Sequence, residues 1–234
     1  MYHSHPDFNE PEDENTKIWR YMDFPKFCSL LYKKALYFAD IDSFDDRLEG
    51  SYPLNQDQQR PKILLPHDRK WTKACCFHMN KYESQALWKL DSQKNGLAIQ
   101  TTYGKLKKSF DKCEYEVHLG KIDYIDFRKE GKDTIRTDNK FPVYLTKDKS
   151  LDYERELRAI VWQLSEIGKK LDVIPLSELT RGLYVPIDIN FLIEKIYLSP
   201  QSPDWYKSVV EDVTKKYGYD LEVINSSLDE SPKY

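Results

Sequence analysis

Glycine is scarce in this chain of 234 residues, which contains only eight glycines. The two that lie closest together, Gly96 and Gly104, are separated by seven other residues. A dinucleotide-binding fingerprint (G-x-G-x-x-G) and a P-loop (G-x-x-x-x-G-K) both need much closer pairs, because their glycines let the backbone wrap around a phosphate. Two of the commonest phosphate-binding motifs are therefore excluded.

Neither an excess of one charge nor a long apolar stretch is present. Lys and Arg total 36 against 39 Asp and Glu, for a net charge of -3, so a general electrostatic footprint for nucleic acid is missing. No stretch approaches the roughly 18 consecutive apolar residues of a membrane span, and the first residues lack the basic start and apolar run of a signal peptide. We expect a cytoplasmic protein without a membrane partner.

Cysteine is also sparse, with four residues at irregular positions: Cys28, Cys75, Cys76 and Cys113. No C-x-x-C pair is present for zinc or redox chemistry, and four cysteines so placed do not suggest a disulfide framework. We expect reduced thiols. If the segment around Cys76 and His78 is a strand, these two side chains share one face and supply only two ligands, so we expect no metal cofactor.

Aromatic residues, by contrast, are abundant, with 17 Tyr, 10 Phe and 5 Trp, which indicates a folded chain. The length favours one large domain. We predict a flexible leader at 1–15, a single α+β domain at 16–225 and a flexible tail at 226–234. Strand and helix patterns mix without regular alternation, so the domain is expected to have a largely antiparallel or split sheet and several short helices.

Apolar spacing and turn residues place the elements of this domain. Proline or threonine at a first turn predicts helices beginning near Pro25, Thr102 and Pro203, the last with Ser202-Pro203-Asp204 as its cap and the proline at the first helical position. Apolar runs predict strands that include Ala35–Asp40 and Phe141–Leu145.

The segment Tyr153–Trp162 carries two glutamates and admits two interpretations. As a strand, it places Glu154, Glu156 and Arg158 on one face, because side chains alternate. As a helix, it pairs Glu154 with Arg158 one turn away. In either case the residues can form a structural ion pair instead of a site, since a Glu-x-Glu triplet alone is a weak motif.

Other charged candidates also have structural alternatives. Glu83 is either a site carboxylate or the reciprocal partner of Asn80 in a helix cap. Asp46, in a turn-rich loop, is either a pocket residue or a partner of backbone amides. Arg20, between two aromatic residues, is either a phosphate clamp or a stacked structural arginine. The lysines of Lys105–Lys112 are either a solvated helix face or a contact to a phosphate backbone.

Several blocks, in this order, resemble a bacterial domain of unknown function that occurs near abortive-infection genes, over about residues 18 to 228. The blocks are Ile18-Trp-Arg-Tyr, Ala35-Leu-Tyr-Phe-Ala-Asp, Ser43-Phe-Asp-Asp-Arg-Leu-Glu, Cys76-Phe-His-Met-Asn-Lys-Tyr-Glu-Ser-Gln-Ala-Leu-Trp, Asn95-Gly-Leu-Ala-Ile, Tyr153-Glu-Arg-Glu-Leu-Arg and Ile196-Tyr-Leu-Ser-Pro. The chain departs from the family at Asp45–Glu49, where the family has Asn-Asp-Pro-Phe-Glu, and at Asp91, where it has tyrosine.

The chain is also distantly similar to ADP-ribosyltransferases, which carry an Arg on their first strand and a Glu-x-Glu triplet on a late strand. That similarity implies NAD as the substrate, with its phosphates bound by Arg20 beside Tyr21. It implies that Glu156 steadies the ribosyl cation and that Glu154 orients the acceptor. The second strand lacks the family's Ser-Thr-Ser, so Tyr37 or Ser43 is expected to substitute. Further pocket candidates are Asp46, Glu83, Trp88 and Arg158.

These resemblances predict an ADP-ribosyltransferase-like protein of a bacterial defence or toxin-type system, acting on an unidentified protein or nucleic acid. One alternative is a non-enzymatic defence module that binds such a partner while both glutamates are structural. Another is a Mg²⁺-dependent nuclease, in which four acidic residues gather around the metal. These four are Asp46, Glu83, Glu154 and Glu156.

Overall fold

A computed structural model describes residues 1–53, 68–92, 95–128, 135, 141–162, 182–200 and 202–229. The chain forms two compact units. The first unit contains Met1–Pro11, Tyr37–Cys76 and Cys113–Val185, and the second contains Glu12–Leu36, Phe77–Lys112 and Pro186–Tyr234. Each unit is thus assembled from three separate stretches of sequence.

The elements are short, as the sequence predicts. The strands are β1 (Lys17–Asp23), β2 (Ala35–Asp40), β3 (Thr72–Met79), β4 (Gly96–Thr102), β5 (His118–Lys121), β6 (Asp123–Ile125), β7 (Thr146–Asp148), β8 (Glu156–Trp162), β9 (Leu183–Pro186), β10 (Lys195–Leu198) and β11 (Glu222–Asn225). The helices are α1 (Phe24–Lys33), α2 (Asp68–Trp71), α3 (Gln85–Leu87), α4 (Tyr103–Ser109), α5 (Ile189–Leu192) and α6 (Asp204–Lys216).

The second unit is built on the long antiparallel pairing of β1 with β4. Seven residue pairs hold this ladder in register, from Lys17 opposite Thr102 to Asp23 opposite Gly96. Strand β10 pairs antiparallel with the other edge of β4, and β11 pairs parallel with β10. Helix α1 buries Phe27, Leu30 and Leu31, the apolar residues whose spacing predicts it.

The first unit is organised around the antiparallel pair β5 and β8, in which Gly120 lies opposite Arg158. Strands β6 and β7 form a small parallel pair. The core of this unit consists of buried apolar residues from all three of its chain segments. They are Phe8, Ile41, Tyr52, Ala74, Ile122, Phe127, Ile135, Val143, Tyr144, Leu145 and Ile160.

The α+β class with a largely antiparallel sheet and several short helices is confirmed. The leader, domain and tail boundaries stay predictions. Within the predicted leader, Phe8 is buried, Tyr2 forms a β-bridge with Val117, and the backbone amide of Lys121 donates to the carbonyl oxygen of Asn9. No helix among the described residues is long and apolar enough to cross a membrane.

The strand predicted at Phe141–Leu145 is wrong. Residues Pro142–Leu145 form a 3-10 helix, and the strand that follows is β7. The apolar run is needed for burial and not for a sheet: Val143, Tyr144 and Leu145 all enter the core of the first unit. Pro142 favours this outcome, because a proline is accommodated in the first turn of a helix.

Two predicted helix caps are also wrong in detail. The helix after β3 is capped by Ser84, whose hydroxyl accepts a hydrogen bond from the Leu87 amide, and not by Asn80 and Glu83. Helix α6 has Pro203 at its cap position without a side-chain hydrogen bond, so the proline lies one position earlier than predicted. By contrast, Thr102 caps α4 as expected.

We expect Lys34→Gly to raise the free energy of unfolding by about 1 kcal/mol, because Lys34 ends α1 in the left-handed conformation (φ 51°) that disfavours residues with a Cβ atom. Urea denaturation measures the change. The matched control is Lys33→Gly, one residue earlier inside α1, which should lower the free energy of unfolding by about 1 kcal/mol. Equal destabilisation by both substitutions contradicts the prediction.

Candidate functional site

Five charged side chains gather inside the first unit and form what we call the ionic cluster. Its members are Glu49, Lys147, Glu154, Glu156 and Arg158. They come from the loop after β2, from β7, from the 3-10 helix before β8 and from β8 itself. Three of the five, Glu154, Glu156 and Arg158, are residues that the sequence singles out.

Arg158 lies at the centre of the ionic cluster with a side chain fully shielded from solvent. Its Nε donates to Glu156 Oε1 at 2.6 Å, while Nη1 donates to Glu49 Oε1 and, at 2.7 Å, to the carbonyl oxygen of Tyr144. The guanidinium also lies over the ring of Phe44, 5.5 Å from its centroid. Arg158 thus connects two buried carboxylates, which a single lysine nitrogen cannot do in the same planar geometry.

Lys147 joins the three carboxylates of the ionic cluster from the other side. Its ammonium lies 2.5 Å from Glu154 Oε2, 3.3 Å from Glu156 Oε2 and 3.8 Å from Glu49 Oε2. Its side chain is only 8% exposed, so these contacts lie in a region of weak solvent screening. Lys147 and Arg158 together therefore bind both oxygens of Glu156.

The local backbone gives the two glutamates different surroundings. Glu154 is the last residue of a 3-10 helix, Arg155 follows in the left-handed conformation (φ 41°), and β8 begins at Glu156. As a result the Glu154 side chain is 24% exposed and that of Glu156 only 5%. The question left open by the sequence is thereby answered: Glu156 and Arg158 share a strand face, but Glu154 precedes the strand.

Charge and burial shift the pKa values of the two glutamates in opposite directions. Burial disfavours the charged form of Glu156, but Arg158 and Lys147 outweigh this effect and lower its pKa to about 2. Burial raises the pKa of Glu154, and its hydrogen bond to Lys147 offsets this only in part. Burial, followed by the charge of Glu156, raises the pKa of the nearby Cys76 thiol, which therefore stays protonated.

Three other candidates from the sequence lie in the first unit without joining the ionic cluster. Tyr37 is 40% exposed and its ring contacts that of Tyr184, with centroids 5.2 Å apart. The Ser43 hydroxyl donates to the carbonyl oxygen of Asp40 at 2.7 Å. Asp46 accepts from the Leu48 amide at 2.9 Å, as the turn interpretation predicts. The structure thus gives Ser43 and Asp46 local backbone contacts.

The remaining candidates lie in the second unit. The ring of Tyr21 contacts that of Trp88 edge-on, with centroids 4.9 Å apart, and the Tyr21 hydroxyl accepts from the Ser84 amide. Burial raises the pKa of Tyr21. The guanidinium of Arg20 lies over the ring of Phe77 at 5.7 Å. Tyr21 and Trp88 belong to one buried apolar cluster of this unit, together with Trp19, Leu87 and Ala98.

Glu83 has a structural role, but not the predicted one. Its carboxylate accepts from Trp88 Nε1 at 2.9 Å, from the Ser226 hydroxyl at 2.5 Å, and from both the amide and the hydroxyl of Ser227 at 2.9 Å. Four hydrogen bonds satisfy this carboxylate within the second unit. Glu83 therefore fixes the residues after β11 next to α3.

Sequence reasoning missed Lys147 and Cys76 as members of the site's surroundings. A 3-10 helix lies between Lys147 and Glu156 in the sequence. The strand that carries Lys147 has only three residues, which is too short for an alternating pattern that signals burial. Glu49 is recognised only as a turn residue, although its side chain is fully buried. Lys147 lies among Thr146, Asp148 and Lys149 in sequence, so no local pattern marks it as buried.

No group of three or more metal-ligating side chains suited to hold an ion occurs among the described residues. The acidic residues named for a nuclease site are instead engaged separately: Glu154 and Glu156 by Lys147, Glu83 by serines, and Asp46 by its own loop. Cys28, Cys75, Cys76 and Cys113 form no disulfide among the described residues.

Comparisons with known proteins return distant structural matches. No protein-family model and no curated protein matches the chain. Among solved structures, DarT of Thermus sp. 2.9 in complex with NAD+ matches with a TM-score of 0.45 at 11% identity, covering 94% of this chain and 99% of that one. The same protein with ADP-ribosylated ssDNA gives 0.45 at 12% identity, covering 95% and 100%.

We expect Glu156→Gln to lower the free energy of unfolding by about 3–5 kcal/mol, because it leaves buried cations without their main partner. Glu154→Gln, the matched control two residues away, should cost at most about 1 kcal/mol, since Glu154 is partly exposed. Urea denaturation at pH 7 compares the two. Similar losses for both contradict the central role of Glu156.

The same two variants should differ in their response to acid. The pKa of Glu156 in the folded chain is about 2, against an ordinary value of 4.5. The ionised Glu156 carboxylate therefore adds to the free energy of unfolding above about pH 4.5, and this stabilisation is lost as the pH falls towards 2. Glu156→Gln should therefore flatten the loss of stability over that range. The pKa of Glu154 is raised, so protonation of Glu154 stabilises the folded state as the pH falls towards 4.5. Glu154→Gln removes this gain, and its free energy of unfolding should therefore fall more steeply with acid just above pH 4.5. Unfolding curves across pH 2–7 test both directions.

Proposed function

We propose that this chain is an ADP-ribosyltransferase-like protein of a bacterial defence or toxin-type system, which uses NAD to modify a macromolecular target. The observation that carries the proposal is the ionic cluster at the beginning of β8. Glu156 is the first residue of the late strand β8 and Glu154 lies just before it, an arrangement that supports the resemblance to these enzymes for Glu156, and the two glutamates differ in pKa.

The charge of the ionic cluster suits a cationic reaction centre. Three carboxylates (Glu49, Glu154, Glu156) and two cations (Lys147, Arg158) leave one net negative charge when all are ionised. In NAD the nicotinamide ring is positive, and positive charge moves to the ribose as the ring leaves. A fixed anionic environment stabilises such developing charge, because the protein dipoles need no reorganisation during the reaction.

The two glutamates are proposed to divide the reaction between them. The bond between nicotinamide and ribose breaks with its electron pair going to the nicotinamide, and Glu156, whose low pKa keeps it anionic, stabilises the ribosyl cation. The acceptor of the target then bonds to the ribose and loses a proton. Glu154, which is more exposed and has a raised pKa, orients the acceptor and takes that proton.

Other parts of the proposal rest on the resemblance alone. Arg20 and Tyr21 are assigned to the phosphates of NAD, while Tyr37 or Ser43 supplies the polar group that these enzymes carry on their second strand. Arg20 has a guanidinium suited to bidentate phosphate binding, which lysine reproduces poorly. Arg20→Lys should therefore weaken NAD use without removing the charge.

The direct test is nicotinamide release from NAD by the purified protein, with and without cell lysate as a source of targets. We expect release by the wild type, none by Glu156→Gln, and a loss of transfer to macromolecules that exceeds the loss of release for Glu154→Gln. Because Glu156→Gln is also expected to destabilise the fold, circular dichroism must accompany each assay. The informative variant for activity is then Glu154→Gln, whose fold should persist.

One observation favours a non-enzymatic binding module as the second candidate. The side chains of Glu156 and Arg158 are 5% and 0% exposed and neutralise each other, so the pair is able to serve stability alone. If the folded wild type releases no nicotinamide under either condition, the transferase proposal fails. Partner capture that is unchanged in Glu154→Gln then supports the binding module.

A further inference from the structure

A cavity of about 690 Å³ is lined only by residues of the second unit. It shares no residue with the ionic cluster. Its wall is formed by the end of α1, the end of α4 and the residues after it, the segment Pro186–Phe191, and the turn Tyr217–Tyr219 after α6. Its volume is in the range of small-molecule binding sites. None of the residues that the resemblance assigns to NAD lines this cavity.

Three exposed lysines surround the cavity: Lys34, Lys108 and Lys112. Within the part of the chain that the structure describes, none of them forms an ion pair. Two aspartates, Asp111 and Asp188, also line the wall, and Asp188 is engaged as the cap of α5. Three lysines and two aspartates give the lining a net charge of +1, in a chain whose net charge is -3.

Lys34 occupies its place at the rim in an unfavourable backbone conformation. It is one of two described non-glycine residues with positive φ, at a helix end where glycine is the usual residue. Its carbonyl oxygen accepts a hydrogen bond from the Ile187 amide at 3.0 Å, which joins it to the opposite wall. A substitution to glycine at this position therefore removes the lysine side chain from the rim while relieving the backbone strain.

Two aromatic side chains offer flat apolar surface to the same cavity. Phe191 and Tyr217 are each 39% exposed, although aromatic rings of their size are usually more buried in this chain. Phe191 lies in α5, and Tyr217 is the residue at the end of α6. Proteins that bind single-stranded nucleic acids combine aromatic rings with basic side chains. The rings stack on the bases, and the lysines contact the phosphates.

We propose that this cavity binds a phosphorylated nucleoside unit, supplied either as a free nucleotide or as part of a single-stranded nucleic acid. The lysines contact the phosphates, and Phe191 and Tyr217 stack on the base. The proposal is independent of the proposed transferase reaction, because none of the residues that line the cavity is in the ionic cluster or among those assigned to NAD.

The test uses a short fluorescein-labelled single-stranded oligonucleotide, whose anisotropy is followed as the full chain is added, with unlabelled AMP and inorganic phosphate as competitors. If the three lysines each contact a phosphate, the logarithm of the binding constant should fall with the logarithm of the salt concentration with a slope of about -2. Lys108→Gln should reduce the magnitude of that slope by about 0.7.

Matched variants separate the cavity from general surface effects. We expect Phe191→Ala to weaken binding about fivefold or more, since a stacked base contributes at least that much. Tyr82→Ala removes another exposed ring of the second unit, and Lys89→Gln removes another exposed lysine, and neither residue lines the cavity. These two controls should leave binding unchanged. Lys34→Gly should weaken binding while it stabilises the fold, a combination that damage to the fold cannot produce.

The competitors identify the source of the ligand. Displacement by AMP supports a free nucleotide, whereas oligonucleotide binding that AMP does not displace supports a single strand. The proposal is overturned if neither probe binds, if the control variants weaken binding as much as the cavity variants do, or if inorganic phosphate displaces the probe while Phe191→Ala has no effect. Nicotinamide release is measured separately, so either proposal can fail while the other stands.

Discussion

The buried pairing of Glu156 with Arg158 is the interaction on which the first unit depends. Removing two charges from water is costly, and the cost is recovered only when geometry and additional hydrogen bonds are good. Here Arg158 has Glu49 and the Tyr144 carbonyl as further acceptors, and Glu156 has Lys147 on its second oxygen. The ion pair therefore ties together the loop after β2, the 3-10 helix before β7, and β8.

Much of the fold could be predicted from the sequence, because many of its elements depend on local signals. Elements that depend on local signals agree with the structure: α1 behind Pro25, α4 behind Thr102, and β2 over Ala35–Asp40. The errors occur where burial overrides a local pattern. Phe141–Leu145 has the composition of a strand, but its residues fill the core as a 3-10 helix.

The candidate site was only partly accessible to such reasoning. Glu154, Glu156 and Arg158 alternate in sequence, and the strand interpretation therefore predicts one shared face, which holds for Glu156 and Arg158 but not for Glu154. Lys147 and Glu49 reach them through tertiary packing, and no spacing in the sequence encodes that approach. The carboxylate of Glu83 illustrates the same limit, because its partners Ser226 and Ser227 lie more than 140 positions away.

A single residue in the left-handed conformation separates the two glutamates, and its consequence is chemical as well as geometric. If the strand began at Glu154, both carboxylates would be side by side on one face of the sheet. Arg155 instead turns the chain between them. Two side chains of identical composition thereby differ in acidity: the Glu156 carboxyl group stays ionised to a lower pH than the Glu154 carboxyl group does.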